Sequence, residues 1–204
     1  SQWLGINKSN NSPRHFAFVF QLQNLLAKGV RTALTQTEQQ TIIQLMVDVQ
    51  PQANTFGVSP EDLHHLVNFN PIIAIELLTS LSKTPQMDEY YNALVAMEVT
   101  VDSLEVVNRL SSRLTLPQEF IHAYISKCMS YCHSVQDKSS QSRLVRLVCL
   151  LIQSFVRNKI LDIRSENILI EVQVFCVEFN KVNGANQLYR MLKNMEASLA
   201  STSQ

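Results

Sequence analysis

Cys128 and Cys132, four residues apart with His122 and His133 close by, are the nearest approach in this sequence to a reactive or metal-ligating cluster. That spacing sets both sulfurs on one face of a helix and would supply half of a tetrahedral zinc site. No second pair at metal spacing follows, and Phe120, Tyr124, Cys128 and Cys132 form an i, i+4 row that core packing explains, so no metal is expected. A nucleophilic thiol needs polar, electropositive surroundings; here the neighbours are side chains such as Met129, Val148 and Phe175. His64-His65 lacks the glutamate-bearing HExxH arrangement of zinc hydrolases. Glu76 and Glu171 sit between apolar neighbours and could carry shifted carboxyl groups, but helical geometry turns such residues to water or to an internal Arg such as Arg109. Asn108-Arg109 is expected to brace adjacent helices in the same way. Tyr189-Arg190 and Lys193 fall short of the interleaved basic and aromatic residues that single-stranded RNA requires. No catalytic residue, cofactor site or metal site is expected, and the chain does not read as an enzyme.

The chemistry that remains is recognition, and it centres on residues 141–159. With Arg143 at 0° on a helical wheel, Arg146 lies near −60°, Leu150 near −20°, Gln153 near −80°, Ser154 near +20° and Arg157 near −40°, all to about 10°. Leu144, Val145, Val148, Leu151, Ile152, Phe155 and Val156 are apolar, so the predicted helix is buried around most of its circumference and carries one narrow Arg-bearing stripe. Arginine forks match carboxylates and helix-end carbonyls. Two readings stand: a solvated stripe or ion pairs within the domain, and a groove wall of Arg143, Arg146, Leu150, Gln153 and Arg157 that grips an acidic or amphipathic partner peptide.

The elements that must position this stripe follow from composition and punctuation. The chain has 204 residues, 46% apolar and 17% charged, with only four glycines. These figures exclude intrinsic disorder and leave no material for a phosphate-cradling loop, a nucleophile elbow or tight hairpins. Net charge is zero, which argues against bulk electrostatic binding to nucleic acid or anionic membrane. The charge is segregated, however: residues 1–35 carry +4, 36–105 carry −9 and 106–204 carry +5. Such a chain closes its halves on each other or offers a face of each sign to partners. Four cysteines in apolar helical stretches read as reduced core thiols of an intracellular, soluble protein, and the longest apolar stretch, 144–156, is too short to span a bilayer.

Helix starts recur along the chain. Thr35 with Glu38 fits a capping box, Ser59 and Asn70 precede Pro60 and Pro71, Thr84 precedes Pro85, Leu116 precedes Pro117, and Asp102 opens SLEVVNRLSSRL. Residues 138–159, 165–181 and 185–199 are the last patterned stretches, with Asn183-Gly184 as the stop between the final two. The β-branched run 168–179 is predicted helical because Glu171 and Glu178, seven apart, then share a face. The expectation is an all-α single domain of about eight to ten antiparallel stacked helices, a helical-hairpin bundle over 34–200. A polar tail at 1–14, whose Trp3, Leu4 and Ile6 could dock onto the body, and an additional apolar helix at 15–33 precede it. No fixed-period repeat is visible.

Five blocks carry a resemblance: NPIIAIELL (70–78), EYYNALVAMEVTVDSLEVVNRL (89–110), LPQEFIHAYISKCMSYC (116–132), QSRLVRLVCLLIQSFVRNKI (141–160) and IEVQVFCVEF (170–179). In this order, over roughly 34–196, the chain resembles the C-terminal domain of subunit 11 of the CCR-NOT mRNA deadenylase complex. The resemblance implies a non-catalytic subunit, cytoplasmic and nuclear, whose separate N-terminal region joins subunit 10 and docks on the NOT scaffold. It further implies that this domain projects as an antenna that recruits adaptors, gametogenetin-binding protein 2 first among them, for poly(A) shortening. It assigns no binding residues. The alternative, which the same residues permit, is a generic helical adaptor of other RNA-processing or transport machinery.

Overall fold

The structure, a computed structural model, describes residues 12–49 and 55–202; Trp3, Leu4 and Ile6 lie outside them. Among the described residues there are ten α-helices, one 3-10 turn and no strand, so the all-α expectation holds. The chain divides into two compact units, Ser1–Leu94 and Val95–Gln204.

In the first unit, α1 (Pro13–Gly29) begins two residues inside the expected tail. Ser12 is its N-cap, accepting from the His15 backbone N–H at 3.1 Å, and Pro13 fills the first helical position where no N–H is missed. Leu22 and Leu26 are the side chains that α1 buries, and it packs on α2 (Gln36–Asp48). The start of α2 is the expected capping box: Glu38 N–H donates to Thr35 Oγ1 at 3.2 Å and Thr35 N–H donates to Glu38 Oε2 at 2.9 Å. Glu38 also pairs with Lys28 of α1. A 3-10 turn (Pro60–Asp62), capped by Ser59, leads into α3 (Leu63–Phe69), then α4 (Pro71–Leu81) and α5 (Met87–Ala96). The helix expected after Thr84-Pro85 is present as α5, but Thr84 does not cap it: its Oγ1 donates back to the Leu81 carbonyl at 2.7 Å.

Asn70 is a second correction. Its side chain does not cap α4. It is 1% exposed and crosses to the α1–α2 connection, where Oδ1 accepts from Leu34 N–H at 2.8 Å while Nδ2 donates to the Gly29 and Thr32 carbonyls at 2.7 and 2.9 Å. One amide thus satisfies three backbone groups that helix ends leave unpaired. The approach is close enough that a Cβ on Gly29 would sit 3.0 Å from Leu34 Cδ1 and 3.4 Å from Asn70 Nδ2.

The second unit contains α6 (Val101–Arg113), α7 (Gln118–Ser134), α8 (Lys138–Arg157), α9 (Glu166–Glu178) and α10 (Asn183–Thr202). The cap of α6 is Thr100 rather than Asp102, in a reciprocal pair with Ser103. Helices α7 and α8 form one hairpin, α9 and α10 another, and the hairpins stack with α7 on α9 and α8 on α10, while α6 covers a further side of α8. Ser126 bonds Glu171 and His133 bonds Glu178; both partners advance by seven residues, so α7 and α9 run in the same direction. That register realises the shared face expected of Glu171 and Glu178. Helices α8 and α9, consecutive in sequence, do not lie side by side as an antiparallel neighbour rule would have it; they meet across the diagonal at Cys149 and Cys176. Asn183-Gly184 is not the stop expected: it opens α10, where Gly184 packs against Arg146 and Cys149.

Asn70→Ala is expected to lower unfolding free energy in urea by about 2–4 kcal/mol, because it strands buried backbone groups as well as removing three bonds. Asn70→Asp, which keeps the acceptor for Leu34 but loses both donors, is expected to fail as a rescue. The Lys28 side-chain bond, then the Thr35 N–H, hold the Glu38 carboxyl below its usual range. A depressed folded value gives stability that is present above the ordinary carboxylate range and lost as pH falls through the folded one. The Tm advantage of the wild type over Glu38→Gln is therefore expected at neutral pH and to vanish in acid.

Candidate functional site

The sequence-predicted stripe lies on α8, whose first turn is set by Asp137 accepting from the Ser140 N–H at 2.8 Å. Val148, Ile152 and Phe155 are fully buried, which fixes the rotation of the helix and therefore where its polar side chains emerge. Arg143, Arg146 and Arg157 are exposed and Leu150 is 50% exposed between them. Gln153 is 5% exposed. Near −80° on the wheel it faces α10, with Nε2 3.5 Å from the Gly184 carbonyl and Oε1 3.5 Å from Arg157 Nη2. Gln153 therefore supports the stripe from below and offers no surface to a partner.

The stripe has two shoulders. On the α10 side the stem of Arg146 runs along Gly184, where an added Cβ would lie 3.6 Å from Arg146 Cγ. On the α6 side Leu150 joins Val101, Leu104, Leu147, Leu151 and Ser154 around a shallow groove of about 240 Å³. Ion pairing with the acidic part of the chain does not account for the arginines: among the described residues Arg143, Arg146 and Arg157 form no salt bridge. Arg109 and Arg164 pair locally, Arg109 with Glu105 at 2.8 Å on the same helix and Arg164 with Asp162 at 3.0 Å. Arg109 is thus held on its own helix, and Glu171 accepts from Ser126 Oγ at 2.9 Å rather than from Arg109.

A larger groove, of about 670 Å³, opens where α8 and α10 end and α7 and α9 begin. Val156, Leu161, Ile163, Met195 and Leu199 form its apolar walls, with Lys159, Asp162 and Arg164 among its polar lining. Its rim is built by a Schellman turn: Ile160 N–H donates to Phe155 O at 2.8 Å and Lys159 N–H to Val156 O at 3.2 Å. That turn holds Lys159 at φ 58°, in the left-handed region that favours glycine. Sequence reasoning missed this groove because nothing at 158–164 marks a left-handed turn; the glycine that would announce one is absent.

The other candidate groups do structural work. Cys128, Cys132, Cys149 and Cys176 are reduced and buried. Burial pushes the Cys128 and Cys132 thiols up to about 12. A hydrogen bond with Cys176, then burial, pushes Cys149 up, while the same bond draws Cys176 down against its own burial. His133 Nε2 lies 2.9 Å from Glu178 and its ring packs on Phe175 and Phe179, and His64 Nδ1 is bonded to the Glu61 carbonyl. Among the described residues no three His, Cys, Asp or Glu side chains are grouped to hold a metal ion, and no helix is long and apolar enough to cross a membrane.

Residues 67–193 match the family described as CCR4-NOT transcription complex subunit 11. The chain belongs to that family. The protein of the same description in Dictyostelium discoideum is 35% identical to it over 176 residues, 85% of this chain. The alignment covers 26% of that relative, so the chain spans about a quarter of the length of the subunit 11 protein it matches. The matched span runs from α3 into α10 and so contains the whole arginine stripe, the α6–α8 groove and the Lys159 turn, but not Met195, Ser198 and Leu199 of the larger groove.

Lys159→Gly is expected to raise unfolding free energy by about 0.5–1 kcal/mol, since glycine takes the left-handed conformation without the Cβ penalty; paired urea melts measure it. All four thiols are expected to resist a disulfide reagent at pH 8 in the folded chain and to react together once it is unfolded.

Proposed function

We propose that this chain is a non-catalytic protein–protein interaction module of a CCR4-NOT deadenylase complex, which recruits adaptor proteins to mRNA poly(A) shortening and so regulates gene expression. The observation that carries this reading is the α8 surface: three exposed arginines, none of them in a salt bridge among the described residues, flanking a half-exposed leucine beside an apolar groove. Guanidinium groups outside any salt bridge, on a helix whose other faces are packed, are available to carboxylates brought by another protein, and Leu150 supplies an apolar anchor between them. Cys128 and Cys132, whose thiols burial pushes up, and His133, bonded to Glu178 and packed on two phenylalanines, offer no nucleophile–base pair for an enzyme.

The partners proposed are the deadenylase subunits in the full-length protein and an adaptor such as gametogenetin-binding protein 2. Direct contact with nucleic acid, membrane or metal forms no part of the reading. The setting proposed is the cytoplasm, with the nucleus as a second compartment.

Affinity capture tests the reading. The wild-type chain, used as bait, is expected to retain the adaptor. The double variant Arg146→Glu with Arg157→Glu is expected to lose at least about tenfold of that capture, with an unchanged helical circular-dichroism spectrum. Undiminished capture by the folded double variant would remove the arginine face from the account.

A further inference from the structure

We infer that the groove at the end of the second unit, between the Lys159 turn and the last turns of α10, is a second peptide-docking site. Its occupant is an acidic–apolar segment, in which one or two bulky apolar side chains lie beside an Asp or Glu. The inference rests on the interaction-module reading above and adds a place, a chemistry and a residue that the arginine stripe does not contain.

Two independent observations point to it. The first is the match of shape and charge. Val156, Leu161, Ile163, Met195 and Leu199 line a space of about 670 Å³, within the range that holds a compact ligand and large enough for two large side chains. Of the charged residues that line it, Asp162 is occupied by Arg164, whose Nε and Nη2 donate to its two oxygens at 3.0 and 3.2 Å. Lys159 is exposed and forms no ion pair among the described residues. The uncompensated charge at this apolar groove is thus one ammonium, and its complement is a carboxylate on the incoming segment.

The second observation is the backbone at Lys159. The Schellman turn needs a left-handed residue there, and glycine would take that position at lower cost than lysine does. The turn itself is held by other groups: Ile160 and Leu161 N–H both donate to the Phe155 carbonyl at 2.8 and 3.1 Å, and Gln118 Nε2 fastens the Ile160 carbonyl at 2.7 Å. The lysine side chain contributes none of these bonds. A non-glycine residue kept in a sparsely populated conformation on the rim of a groove is the pattern of a position held for recognition.

This makes the position separable from folding. A phage-displayed library of random 12-residue peptides, selected on the wild-type chain, is expected to enrich peptides pairing Leu, Phe, Ile or Met with Asp or Glu. For those binders Lys159→Gly is expected to weaken affinity about tenfold with Tm equal or higher, Lys159→Arg to restore it, and Leu199→Asp to abolish it. Enrichment of nothing, or of basic peptides, overturns the inference; so do acidic binders whose affinity survives both Lys159→Gly and Leu199→Asp. Should Leu199→Asp perturb the fold, Lys159→Gly alone decides. The outcome is distinguishable from that of the broader reading: wild-type capture of the adaptor with no groove-dependent peptide sinks this site alone, whereas groove binders without any capture of the adaptor sink the interaction-module reading alone.

Discussion

The second unit depends on how α8 is enclosed. Its twenty residues are packed by α6, α7 and α10 at once, and Val145, Val148, Cys149, Ile152 and Phe155 have no exposed surface. A helix packed from three directions has little rotational freedom, since a turn about its axis would drive Arg143 or Arg157 into a close-packed interior. Over this enclosed stretch the arginines of α8 therefore emerge through one strip. The same enclosure sets where the chain leaves the helix: Phe155 is buried, and its carbonyl takes the N–H groups of Ile160 and Leu161 that close the turn. The arginine face and the Lys159 rim are two consequences of one packed helix.

The first unit solves a different problem with a polar device. Three of its backbone groups, at Gly29, Thr32 and Leu34, meet the buried Asn70 amide rather than water. Such a site is sensitive to both charge and size: a Cβ at Gly29 already crowds Leu34 and Asn70. Apolar packing holds the second unit, whereas a saturated side-chain amide ties the helix ends of the first.

How much of this was legible in the sequence varies with the kind of force involved. Local, short-range chemistry was readable. Thr35 and Glu38 lie three residues apart and cap α2 as their types require, and the i, i+4 row from Phe120 to Cys132 became core. The helical periodicity of 141–159 placed three arginines and Leu150 on one exposed face. Tertiary choices were not readable. Asn70 before Pro71 has the signature of a cap, yet its amide is drawn to backbone groups some forty positions earlier in the chain. Gln153 and Arg146 differ by only about 20° on the wheel, but one is covered by α10 and the other is not. Asn183-Gly184 looks like a stop because glycine commonly ends helices; here its lack of a side chain lets α10 come close to α8. The larger groove left no local mark at all, since its walls come from α7, α8, α10 and the α8–α9 connection. The family, by contrast, was readable from whole blocks of sequence, because it needs no knowledge of which helix covers which.

The central claim, that the exposed strip of α8 is the surface through which this subunit 11 chain meets protein, is tested most directly by photocrosslinking from that strip. A photoreactive leucine analogue at position 150 leaves the arginines and the packing of α8 in place, and the same kind of analogue at position 177, exposed on α9, serves as the control. In a deadenylase complex assembled with its adaptor, the account requires crosslinks to a partner protein from position 150 in excess of those from 177. Crosslinks from 177 alone, with 150 silent in the same assembled complex, would contradict it.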